Sequence, residues 1–475
     1  MQSPVHAANV DYGVVRLARR LGKAANTWRS SSVNKRITGA ALILLAATVA
    51  VRVTTAGREL IVAYHFGTGD ALDAFLIAFV VPAFVINVLI GAFTSALLPT
   101  FVDVREKEGS EAAYRLASNA LMAVTVLVLA IILILWVAGP FLLRFLASGF
   151  SSEKLALAVQ LQRLLLPLIF FHGAAKFWGT LLQAGERFAL AALTPASAPI
   201  ATIVLLLALG WWGGIHLLAF GLIVGYACEA GILAYGAARR GIPVRPGWHG
   251  LDKPTRIVFQ QYAPLVLGGL MAGGTTLVDQ SMAAMLDAGS VASLSYGQKL
   301  VALIFAFTAR PIGIALLPFL SRQVASAQFG EARRSVAGWI ALAVLLTAPL
   351  TCAIYIFSEF IVQTVFERGA FTTEDTHVVA AVQAMYCLQI PFYLAGIIGA
   401  RMLNALRLSH LFAIIGVLNF TSNIFFNWLF MQLIGLPGIA LSTSFVYLIS
   451  SVFIISCLLH YLKKPEIRYA VKEPS

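Results

Sequence analysis

Charge is what this chain has least of. Of its 475 residues, only 12% are Asp, Glu, Lys or Arg, about half the share of a soluble domain. A water-exposed globule of this size is therefore excluded. Cysteine is scarce as well. Cys228, Cys352, Cys387 and Cys457 lie singly inside apolar runs. With no paired spacing they exclude a disulfide framework or a zinc-type site and read as small core residues. Also missing are a long polar loop, an Asp-x-Asp metal pair, a Gly-rich phosphate loop and a nucleophile elbow. No enzyme activity, catalytic residue, metal or cofactor is expected on these grounds. No cleavable leader is expected, because the first apolar run starts near Thr38 behind a long basic tail.

What is present is apolar sequence. Hydrophobic residues make up 59% of the chain, and the mean hydropathy is +0.85. They fall into about twelve runs near or above ~20 residues, the length that spans a hydrocarbon core as helix. The expected spans are 38–64, 74–98, 116–138, 155–183, 188–210, 215–237, 257–284, 293–318, 334–357, 376–402, 409–432 and 437–461. The runs are continuous and rich in Leu and Ala rather than alternating, so helices are expected and a β-barrel is not.

The formal charge is +13, and it sorts by side. Arg16, Arg19, Arg20, Lys23, Arg29, Lys35 and Arg36 fill the N-terminal tail. Arg239, Arg240, Arg245, Lys253 and Arg256 fill the central loop, and Lys463, Lys464, Arg468 and Lys472 fill the C-terminus. Loops such as Gly67–Leu72 and Leu286–Ala292, on the other side, carry no lysine or arginine. Both termini are thus expected in the cytoplasm of a bacterial inner-membrane protein. The charge reports topology, and nucleic acid is not an expected partner. In the tail, Val14, Leu17, Ala18 and Leu21 oppose Arg16, Arg19, Arg20 and Lys23, which suits either an interfacial helix or a disordered basic segment.

The chain repeats itself. Leu97-Leu98-Pro99 closes the second span, and Leu316-Leu317-Pro318 closes the eighth. Gly149-Phe150-Ser151-Ser152 matches Gly369-Ala370-Phe371-Thr372-Thr373. Six spans per half, an even number, give both halves the same orientation, as in alternating-access transporters. The expected fold is an all-α polytopic membrane protein with two parallel six-helix lobes. Its expected division is a basic tail at 1–37, a lobe at 38–238, a linker at 239–256, a lobe at 257–462 and a tail at 463–475.

Ionisable groups inside spans are costly, so they mark candidate sites. They are Arg52, Arg58 and Glu59 in the first span, Asp73 opening the second, and Arg163, His172 and Lys176 in the fourth. Glu229, Asp279, Lys299, Arg310 and Arg401 follow. His172 and Lys176 share a helix face, as do Arg52 and Glu59, and Lys299 and Arg310. Facing halves would present a cationic cleft suited to a phosphate-bearing cargo. Arg58, Arg163 and Lys299 also suit snorkelling to headgroups. Arg401 reads as a topology anchor, and Glu229 and His172 suit either a site or a hydrogen-bonded core.

At its first two spans the sequence resembles the MviN/MurJ lipid II flippases, in the superfamily that includes polysaccharide-unit flippases and multidrug antiporters. The matching residues run from Arg52 through Gly57-Arg58-Glu59 to Phe66-Gly67, then Gly69-Asp70, Asp73, Phe75, Pro82, Gly91, Phe93 and Leu98-Pro99. A second stretch has Leu277, Asp279-Gln280, Gly289-Ser290-Val291 and Tyr296. The resemblance implies a V-shaped bundle that opens its cavity to either side in turn. It also implies an undecaprenyl-diphosphate-linked cargo whose diphosphate is held by cavity arginines. Arg52, Arg58 and Asp73 match functional positions of the family, and Lys299 stands where the family has an arginine.

Ile86 and Asn87 replace an arginine pair, Ala302 replaces a glutamate, and there are two fewer spans. These departures favour an exopolysaccharide or O-antigen-type unit as cargo, with lipid II the alternative and a cation-coupled multidrug antiporter the third reading. The expected diphosphate contacts are Arg52, Arg58, Lys299, Arg310 and Lys176. The expected coupling or gating groups are Asp73, Glu59 and Asp279, driven by an ion gradient or the membrane potential. Membrane lipids are the expected partners of a functional monomer.

Overall fold

The computed structural model describes residues 32–185, 188–408 and 410–462. The amphipathic stretch Val14–Lys23 and the basic C-terminal residues lie outside them. Twelve long helices account for most of the described chain: α1 Ser32–Phe66, α2 Asp70–Lys107, α3 Ser110–Leu146, α4 Ser152–Ala184, α5 Ser197–Gly213 and α6 His216–Ala238 form the first half. The second half comprises α7 Lys253–Ala283, α8 Ser290–Ala325, α9 Phe329–Ile356, α10 Thr373–Ala405, α11 His410–Ile434 and α12 Leu436–Tyr461.

Ten of the described helices are long and apolar enough to cross a membrane. Residues 46–66 of α1 and the whole of α7 fall short of that hydropathy, and their sequences give the reason. Arg52, Arg58 and Glu59 interrupt α1, while Gln260, Gln261, Asp279 and Gln280 interrupt α7. Both helices line internal cavities, into which Arg58 and Glu59 of α1 and Asp279 and Gln280 of α7 face rather than toward lipid. The outward helices carry the opposite pattern. Phe141 on α3 and Leu345 on α9 are 78% and 70% exposed, an arrangement that water would penalise and lipid rewards.

The two halves use the same packing scheme. In each, the first helix packs on the fifth, the fourth on the second, third and sixth, and the fifth on the sixth. The repeated Gly-aromatic-hydroxyl motif is the start of the fourth helix. Ser151 Oγ accepts from Lys154 N at 3.3 Å in α4, and Thr372 Oγ1 accepts from Asp375 N at 3.3 Å in α10. Each hydroxyl satisfies an otherwise unpaired N–H of the first turn, which explains why the motif recurs. The two six-helix lobes are parallel repeats. They touch where α7 packs on α2 and α3, and where α8 packs on α2.

Within α2 a π turn spans Ile86–Ile90, four residues after Pro82. The proline removes a hydrogen-bond donor and the wider turn absorbs the disruption. Asn87 is thereby displayed on an irregular part of the helix.

Candidate cavity and gate

The lobes are latched at the face that carries the α1–α2 and α7–α8 loops. Asp73, in the first turn of α2, is 1% exposed. Its Oδ2 accepts from Gly289 N at 2.8 Å and its Oδ1 from Ala292 N at 2.7 Å. A carboxylate of one lobe thus caps the opening turn of α8 in the other, satisfying two unpaired N–H groups and meeting the positive end of the helix dipole. Lys154 of α4 completes the charge balance, with Nζ 2.7 Å from Asp73 Oδ2 and 2.6 Å from Asp70 Oδ1. The same ammonium stands 4.2 Å from the centre of the Phe150 ring.

Close backbone contact seals the rest of this face. Ala370 N donates to Tyr64 O at 2.8 Å, and the Thr68 hydroxyl donates to Asp375. Gly67 and Gly289 have φ of +52° and +85°. A Cβ on either would stand 2.3 Å from a carbonyl oxygen of the opposite lobe. Glycine is required there for conformation and for space together.

Beneath the latch lies a cavity of about 210 Å³ between the lobes, lined by Arg58, Glu59, Gln280, Tyr296 and Lys299 among apolar neighbours such as Phe75 and Leu222. Glu59 Oε2 pairs with Lys299 Nζ at 3.1 Å, and its other oxygen accepts from Arg58. Two cations from different lobes therefore share one carboxylate, leaving a net positive charge in a mostly apolar chamber. Such a site strengthens its grip on an anion through low dielectric.

Of the sequence-expected residues, Arg58, Glu59 and Lys299 come together here. Arg52 is half-buried on the same helix and makes no ion pair among the described residues. The side chain of Arg310 lies outside the described residues. Lys176 does not join the group. With His172, Glu229 and Tyr226 it lines a separate cavity of about 480 Å³ inside the first lobe, where its Nζ donates to Asn87 Oδ1 at 3.0 Å. Asn87 is the residue standing in place of an expected arginine, so Lys176 supplies a cation beside that position from α4.

Asp279 lies in a third cavity of about 360 Å³, within the second lobe. Its Oδ1 accepts from Asn423 Nδ2 at 2.9 Å and Asn427 Nδ2 at 2.6 Å. The Oδ1 atoms of Asn419, Asn423 and Asn427 are buried with no hydrogen-bond partner among the described residues. A carboxylate with spare amide oxygens is a hard-donor set that suits a small cation.

Arg401, partly buried near the end of α10, packs against Gly313 of α8, where a Cβ would stand 2.7 Å from Arg401 Nη2. Lys154 is absent from the expected set because it falls one residue before the expected fourth span. The matching Gly149–Ser152 motif beside it was the available signal.

The family profile described as "Lipid II flippase MurJ" matches residues 62–472. The chain belongs to the MurJ family. The match begins just after Arg52, Arg58 and Glu59. A probable lipid II flippase MurJ of Rhizobium tropici is 25% identical over 356 residues, 73% of this chain and 67% of the relative. Among solved structures, "Lipid II flippase MurJ, inward closed conformation" superposes with a TM-score of 0.75 at 21% identity, covering 90% of both chains. An inward-facing multidrug resistance MATE family transporter gives 0.76 at 14% identity, over 92% of this chain and 99% of that one. The fold is thus shared by MurJ and MATE transporters, and MurJ membership marks the chain as a membrane flippase rather than an enzyme.

Proposed function

We propose that this chain flips lipid II, an undecaprenyl-diphosphate-linked saccharide, from the cytoplasmic to the periplasmic leaflet of the bacterial inner membrane. The supporting observation is the inter-lobe cavity in which, among the described residues, Arg58 and Lys299 share Glu59 as their one anionic partner. Two phosphates entering an apolar chamber need cations from both walls, and bringing Arg58 and Lys299 onto one anion couples the lobes through the cargo. With both termini cytoplasmic, the latch at Asp73 closes the periplasmic side and cargo enters from the cytoplasm. Separating Asp73 from the α8 amino terminus then opens the outer side. On this reading the chain works as a monomer, and Arg52 contacts the diphosphate as it enters.

Energy comes from an ion gradient or the membrane potential, with Asp279 and its asparagine neighbours as the cation-coupling group. A carboxylate that binds a cation in one lobe state and not the other converts a gradient into a population shift.

An exopolysaccharide or O-antigen-type unit on the same carrier is the second reading, favoured by Ile86 and Asn87 in place of an arginine pair. A drug antiporter is disfavoured because the inter-lobe cavity presents two cations to one carboxylate. Depletion of the protein tests the choice. Lipid II is expected to accumulate in the cytoplasmic leaflet while surface polysaccharide is unaffected. Accumulation of a different lipid-linked saccharide selects the second reading. Sensitivity to cationic dyes with normal precursor export defeats both.

A further inference from the structure

The chamber inside the first lobe has no role in the latch, the diphosphate contact or cation coupling. At about 480 Å³ it is larger than the inter-lobe cavity and the Asp279 cavity, and it is lined by Thr94, Ser95, Thr180 and Gln183 together with Lys176 and Glu229. Its two charges are not spent on each other. Lys176 Nζ is held by the neutral Asn87 Oδ1 at 3.0 Å, and no carboxylate lies within 4.0 Å of it among the described residues. Glu229 is 6% exposed, and its Oε2 has neither a hydrogen-bond donor nor a cation among the described residues.

Burying a carboxylate oxygen unpaired is expensive, and a flexible lysine four bonds long would ordinarily swing across to neutralise it. Packing opposes that collapse. His172 and Tyr226 stack at 4.1 Å between centroids, nearly parallel, and fix the spacing of α4 and α6. Asn87, on the π turn, draws the ammonium toward α2. The chamber is therefore preorganised with an ammonium on one wall and a free carboxylate on another.

We propose that this chamber binds a zwitterionic amino-acid group on the cargo's head, a carboxylate and an ammonium on one carbon. The Lys176 ammonium donates to the ligand's carboxylate, and Glu229 accepts from the ligand's ammonium. The ligand's carboxylate meets an ammonium whose partner Asn87 is neutral, its ammonium meets a carboxyl oxygen without a partner among the described residues, and the hydroxyls of Thr94, Ser95 and Thr180 serve the flanking polar groups. This rests on the proposed function and deepens it. Lipid II meets the requirement when the third residue of its peptide is a diamino dicarboxylic acid, whose free end is such a zwitterion. A plain saccharide unit offers no such group.

The test is a binding comparison on the full-length protein in nanodiscs. Three probes are used: lipid II with meso-diaminopimelate at the third position, lipid II with lysine there, and undecaprenyl diphosphate alone. The lysine form keeps the ammonium and lacks the carboxylate. The wild type is expected to prefer the diaminopimelate form about tenfold, the scale of one charge-assisted hydrogen bond. Lys176→Met and Lys176→Gln should each reduce that ratio to about one, and Glu229→Gln should weaken both peptide forms about equally. Thermal unfolding confirms that each variant is folded, and the paired lysine variants guard against one failing to fold. A wild type without preference, or a lysine variant that retains it, overturns the chamber's role. Binding of undecaprenyl diphosphate without either lipid II form overturns the proposed function as well, which separates the two failures.

Discussion

Lys299 on α8 and Glu59 on α1 form an ion pair of 3.1 Å across the two lobes, and the same carboxylate holds Arg58. In the latched state, Glu59 stands as an internal counter-anion between two cations that a diphosphate would otherwise occupy. Replacing Arg58 by Ala is expected to abolish complementation of a depletion strain at normal protein abundance on a blot. Lys299→Arg should complement, because the charge remains and a forked donor is gained. Lys299→Glu should fail through repulsion with Glu59 and the cargo alike. Full complementation by both Arg58→Ala and Arg52→Ala would remove the arginines from cargo recognition.

Asp73→Asn should loosen the latch. The amide keeps the shape but has a single acceptor oxygen, so either Gly289 N or Ala292 N loses its partner and faces an NH2 donor, and Lys154 keeps only Asp70 as counter-charge. Hydrogen bonds to a charged group are worth about 1.5–3 kcal/mol, so the closed-to-open ratio should fall roughly tenfold to a hundredfold. Thr276 lines the inter-lobe cavity, and thiol labelling of a Thr276→Cys reporter from the periplasmic side reads this directly. Labelling no faster than in the unmutated latch would mean that backbone contacts alone hold the face shut.

Gly289→Val tests those backbone contacts. The left-handed φ of +85° costs a β-branched residue roughly 1–2 kcal/mol, and its Cβ would meet Thr68 O at 2.3 Å. Export should be lost with the periplasmic side labelled more readily, whereas Gly109→Ala, with φ +91° and nothing within 4 Å, should retain export. Similar export by both variants would show that the lobes need not approach so closely.

Asp279→Asn is expected to remove the dependence of transport on the coupling cation while leaving undecaprenyl diphosphate binding intact. The measurement is precursor export in vesicles across a sodium or proton gradient. An unchanged gradient dependence would exclude this carboxylate from coupling.

Orientation is checked by single cysteines. Residues 240–256 should react only from the cytoplasm and residues 67–72 only from the periplasm. Reaction of the central segment from outside would invert the latch and the entry side with it.

Hydropathy and internal repetition were enough to determine the all-helical membrane class, the ends of most spans to within several residues, and the parallel duplication. These follow from local constraints. Lipid demands about 20 apolar residues per crossing, and a hydroxyl cap after a glycine is needed wherever a fourth helix starts. Buried charge likewise marked Arg58, Glu59, Asp73, Asp279 and Lys299 as candidate site residues, because an ionisable group in a span is costly unless it pairs or lines a cavity. Helix periodicity assigns faces within a helix but says nothing about which helix lies opposite. Only the tertiary structure therefore decided that Asp73 caps α8, that Lys154 balances it, that Glu59 bridges Arg58 to Lys299, and that Lys176 belongs to a separate chamber with Glu229. Each of those pairings spans tens to hundreds of residues, and its energy arises from through-space geometry that the order of residues along one helix does not encode.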